Sequence, residues 1–74
     1  MALDYVALAG VENVKADLQA RVQQFAREAY QHSLNLDTAK TAGNDELVSA
    51  STEALSQLDA AIESSQAELA KLDA

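Results

Sequence analysis

The stretch Lys40-Thr41-Ala42-Gly43-Asn44-Asp45-Glu46 decides how the chain is read, because it separates two long runs of helix-forming residues. Gly43 suits the left-handed residue that follows a helix end, and Lys40 suits the negative pole just before it. Asn44 or Asp45 can cap a second helix, with Asp45 and Glu46 close to its positive pole. A turn over about residues 41–45 is short enough to set the two flanking helices antiparallel.

Upstream of the turn, Leu3, Ala7, Val11, Val14, Leu18, Val22 and Phe25 follow steps of four and three residues. The pattern approximates an eleven-residue repeat, which holds an apolar stripe on one face of a nearly straight helix. Ala29, His32, Leu36 and Ala39 continue the stripe. One helix from about Ala2 to Lys40 is therefore expected. Two places allow it to break: Gly10, and the poor helix formers Asn35 and Asp37, which permit an end near Leu34. Downstream, a second helix is expected from about Glu46 to Leu72. Its stripe reads Leu47, Ser51, Leu55, Leu58, Ile62, Ser65, Leu69 and Leu72, with alternating steps of four and three from Ser51 onward. That is a coiled-coil heptad, flanked by Ala54 and Ala61 and weakened by its two serines. The expected fold is a single all-α domain over residues 1–74: an antiparallel, coiled-coil-like two-helix hairpin. Two such hairpins can pair into a four-helix bundle, and the same stripes serve a helix-swapped dimer.

Composition agrees with this and narrows the function. The 74 residues contain no Pro, no Cys and only two Gly, so neither disulfides nor thiolate metal sites are available. The net charge is −7. Its five basic residues, Lys15, Arg21, Arg27, Lys40 and Lys71, are scattered, whereas phosphate binding needs them clustered. Nucleic acid and anionic membranes are excluded as expected partners. The most apolar stretch, Met1 to Val11, is interrupted by Asp4, is too short to span a bilayer and lacks the basic flank of a signal peptide. A cytoplasmic chain, or one carried from there into a larger assembly, is expected.

The two expected helices differ in length. At 1.5 Å per residue they measure roughly 58 and 40 Å, so the second reaches back only to about Val14. Residues 1–13 then overhang, and they hold Leu3, Tyr5, Val6, Leu8 and Val11. Apolar surface of this kind marks interaction sites, and these five residues are the expected protein interface. Against this stands a frayed end, or a kink at Gly10 that folds the segment back on the hairpin.

Chemistry finds little support in the sequence. Glu28 and His32 share a helix face, but a metal needs three or four ligands and a di-iron bundle uses Glu-x-x-His in duplicate. Asp59 with Glu63, and Glu68 with Asp73, read as solvated charges without a pocket to shift them. Ser49, Ser51, Ser56, Ser64 and Ser65 have no base at motif spacing, and Gly43 alone cradles no phosphate. No catalytic, cofactor or metal residues and no small-molecule substrate are expected. The expected role is a non-enzymatic structural or adaptor subunit in an assembly such as a virion or a secretion-type complex, an analogy of layout only. The alternative is a small acidic inhibitor that fills a basic groove, in the manner of a nucleic-acid mimic.

Overall fold

The computed structural model describes residues 3–73. They form three helices: α1 (Tyr5–Ala9), α2 (Val11–Ala42) and α3 (Asp45–Asp73). α2 and α3 lie side by side as an antiparallel hairpin, the expected fold. The molecule measures 52 × 23 × 18 Å.

The turn is shorter than expected. Thr41 and Ala42 remain helical, and only Gly43 and Asn44 stand outside the helices. Gly43 adopts φ 69°, ψ 26°. Its N–H donates to the Lys40 carbonyl at 3.3 Å, and the Asn44 N–H donates to the Ala39 carbonyl at 2.9 Å. This pair of bonds satisfies carbonyls that a helix end otherwise leaves open. Asn44, rather than Asp45, then caps α3: its Oδ1 accepts from the Leu47 N–H at 3.2 Å. The two caps share adjacent residues, so the chain reverses within two positions.

α2 does not end near Leu34. Asn35 and Asp37 are exposed, while Leu36 and Ala39 between and beyond them face inward. Packing of that inner face outweighs two weak local propensities. Thr38 and Thr41 also donate their hydroxyls to the Leu34 and Asp37 carbonyls, each at 3.0 Å.

The break falls instead at Gly10, so the expected single helix from Ala2 to Lys40 is two helices. Ala2 itself lies outside the described residues. Gly10 takes φ 93°, ψ 130°, a conformation that side-chain-bearing residues rarely adopt. A stripe counted in threes and fours passes over Gly10 because position 10 belongs to no apolar step.

Between the helices, the inward residues of α2 are Val14, Leu18, Val22, Phe25, Ala29, His32, Leu36 and Ala39. On α3 they are Val48, Ser51, Leu55, Leu58, Ile62, Ser65, Leu69 and Leu72. Leu47, the expected first member, is exposed and Val48 replaces it. The heptad therefore holds along the whole of α3. Only the smallest side chains are buried: Ala39 at 1%, Ser51 at 2% and Ser65 at 8% exposure. No large side chain is fully buried among the described residues. The larger seam residues, Leu18, Leu36, Leu55, Leu58, Leu69 and Leu72 among them, stay half open to solvent.

Lys15 fixes the far end of the hairpin. Its Nζ lies 2.8 Å from Asp73 Oδ1 and 3.9 Å from Glu12 Oε1. The Asp73 carboxylate, by hydrogen bond and by charge, holds the Lys15 ammonium above its ordinary pKa; partial desolvation opposes this, and Glu12 adds a smaller push upward. α3 thus reaches back to the level of Lys15, as the lengths predicted. α1 lies beyond it.

Candidate interaction surface

α1 is a helix of five residues, too short to persist on its own strength. Local bonds hold it, among them one from the Leu8 N–H to the Asp4 carbonyl at 3.1 Å. Asp4 caps it, its Oδ1 accepting from the Ala7 N–H at 3.1 Å. The Gly10 N–H donates to the Val6 carbonyl at 2.9 Å. Asn13 reaches back across the break, its Nδ2 donating to the Ala9 carbonyl at 2.9 Å. A Cβ at position 10 would stand 3.3 Å from that same Asn13 nitrogen. The glycine and the asparagine together define the elbow.

The elbow turns α1 out of line with α2. A continuous helix over residues 5–42 would be about 57 Å long, more than the 52 Å extent of the molecule. Among the described residues, α1 neighbours α2 and does not pack on α3. It therefore does not fold back to cover the seam. Of the five expected interface residues, four face solvent: Leu3 at 64%, Tyr5 at 73% and Leu8 at 72% exposure, with Val11 less open. Val6 is half-buried. Leu3, Tyr5 and Leu8 are thus presented together at one end of a rod.

Two further features were not read from the sequence. Tyr30 and Leu34 are exposed one turn apart on α2. Charge is also divided unequally. α3 carries Asp45, Glu46, Glu53, Asp59, Glu63, Glu68 and Asp73 against Lys71, a net charge of −6. The residues before Asn44 carry five acids and four bases, a net charge of −1. This contrast gains meaning once the two helices lie side by side. Among the described residues, Arg21, Arg27 and Lys40 form no ion pair; the pairs present are those of Lys15 and a 3.0 Å contact between Lys71 and Glu68.

His32 lies half-buried in the seam while Glu28 is exposed. Among the described residues, no three His, Asp or Glu side chains gather into a metal-holding group. Two open hollows are present, one lined by Asp37, Thr38, Thr41 and Ala42, the other by Gln24, Arg27, Glu28 and Gln31. Each is lined by residues of a single helix. No described helix is long and apolar enough to cross a membrane.

No protein-family model, curated protein or solved structure matches the chain. Its functional reading rests on the surface alone.

Proposed function

We propose that the chain is a non-enzymatic structural or adaptor subunit that docks into a larger protein assembly through α1. The observation that carries this reading is the outward presentation of Leu3, Tyr5 and Leu8 beyond the end of the hairpin. Covering a Leu or an aromatic ring of this size contributes roughly 1.5–3 kcal/mol each. Three such residues on a segment already shaped by Asp4, Gly10 and Asn13 meet a partner with little further ordering cost. A virion or a secretion-type complex is the setting to which this layout is compared, by analogy of form.

The test is a photo-crosslinking amino acid placed at Leu8 in the cells that make the chain, with the same residue at exposed Ala60 on α3 as control. A discrete protein adduct at position 8 and none at position 60 is expected. Equal or absent crosslinking at the two positions would sink the reading.

A second reading is favoured by the charge of α3: an acidic inhibitor that lays this helix in a basic groove. In that case partner binding falls steeply as salt rises, and Glu53→Gln with Glu63→Gln weakens it. An α1 dock is nearly indifferent to both.

A further inference from the structure

The chain exposes 5550 Å² of surface. A compact monomer of 7.9 kDa exposes about 4,400 Å². The excess, about 1,100 Å², is larger than the roughly 800 Å² that each partner gives to an interface of standard size. Its origin is geometric. Two helices side by side form a single layer, and a stable domain packs at least two. The seam residues Phe25, Leu36, Leu55, Leu58, Ile62 and Leu69 are half-buried for that reason.

We propose that a second copy of this chain supplies the missing layer, in a four-helix bundle with both turns at one end and both α1 segments at the other. The proposal rests on the reading of the chain as an interaction module and names its first partner.

Charge selects the arrangement. Two identical ribbons stacked face to face about a two-fold axis have two closed solutions. With the axis across the ribbons, α3 lies on α3 and the turns are at opposite ends. With the axis along the ribbons, α3 lies on α2 of the second copy and the turns coincide. The first solution sets a helix of net charge −6 against its twin. The second sets it against α2, which bears Arg21, Arg27 and Lys40, the bases without an ion pair among the described residues. Heights along the rod are preserved in the second solution. The turn at Gly43–Asn44 and the Lys15–Asp73 pair fix the register, which brings Arg27 to the level of Asp59 and Glu63, and Lys40 to that of Asp45 and Glu46. Leu3, Tyr5 and Leu8 of both copies then share one end.

Three measurements on the purified chain decide it. Sedimentation equilibrium over a wide concentration range is expected to give twice the chain mass of 7.9 kDa. The chain has no Cys, so Ala42→Cys accepts a single spin label on an exposed position next to the turn. The label-to-label distance in the dimer is expected below about 25 Å; turns at opposite ends would give a distance near the length of α2, about 48 Å. Arg27→Glu with Lys40→Glu should raise the dimer dissociation constant about tenfold, the modest effect expected of several exposed pairs. Adding Asp59→Lys and Glu46→Lys should restore it. A monomer at every concentration, another multiple of the mass or the long distance overturns the proposal. None of these outcomes alters what crosslinking at Leu8 reports about docking to other proteins.

Discussion

Gly43 and Gly10 both hold positive φ, yet they are expected to respond differently to substitution. Gly43 has open space where a Cβ would go, so Gly43→Ala meets only the left-handed backbone penalty. The expected loss is about 1–2 kcal/mol in chemical denaturation, and Gly43→Asn should lose clearly less. At Gly10 the constraint can be escaped, because α1 is tied down only locally. Gly10→Ala is expected to straighten α1 onto α2. Helical ellipticity should rise, and the longest dimension in small-angle scattering should grow towards the roughly 57 Å of a continuous helix. An unchanged scattering profile would mean that Asn13 and Asp4, rather than the glycine, set the elbow. Lys15 has a more modest part. Its folded pKa is raised, so the stability it contributes is complete below the unfolded lysine value and is lost as pH rises through the folded one. Lys15→Met should therefore differ from the parent by a small, constant amount in melting temperature at neutral pH, and the difference should vanish in strongly alkaline buffer. Of these residues, Gly43 was legible from sequence as a helix stop. Gly10 was legible only as one of two places to break, because glycine within a stripe carries no sign of whether the chain uses its freedom.

The helices themselves were largely legible, since burial follows a 4-3 spacing that can be counted. Every α2 residue from Val14 to Ala39 named in the stripe faces inward. The one slip of phase, Leu47 for Val48, has a simple cause. Leucine draws the eye, whereas the heptad extended back three residues from Ser51 lands on valine. The serines were read as weak points, and their burial gives them a second meaning. Ser51 and Ser65 are the most buried residues of α3 among those described. A larger side chain has no room there, so Ser51→Leu is expected to cost about 1–3 kcal/mol despite its added apolar area. Ser65→Ala keeps the volume and improves helix propensity, and should stabilise by a few tenths of a kcal/mol. Should Ser51→Leu stabilise the isolated chain instead, the helices are farther apart than their burial implies. The α1 surface was legible as an apolar overhang; its direction was not, because that depends on the Asn13 amide meeting the Ala9 carbonyl across the break.

At the scale of the molecule, a 74-residue hairpin with no fully buried large side chain among the described residues has little stability in reserve. Association and folding are then linked, and the melting temperature should rise by several degrees for each tenfold increase in chain concentration. A melting temperature independent of concentration would mean that the single hairpin is the folding unit. Contacts between α2 and α3 begin next to the turn and run outward from it, an arrangement that favours fast folding from the Gly43 end. The unequal charge of the two helices can be counted from the sequence once their boundaries are fixed, and it gains meaning when the helices lie side by side.

The 2.8 Å contact between Lys15 and Asp73 also settles how the rod can be handled. It places the last turn of α3 beside the root of α1, so any protein fused after Asp73 stands next to Leu3, Tyr5 and Leu8 and crowds whatever approaches them. A label on the exposed position 42, beside the turn, sits at the opposite tip, about 48 Å away along α2. If α1 is the docking end, as proposed, labels, surfaces and affinity matrices belong at the turn.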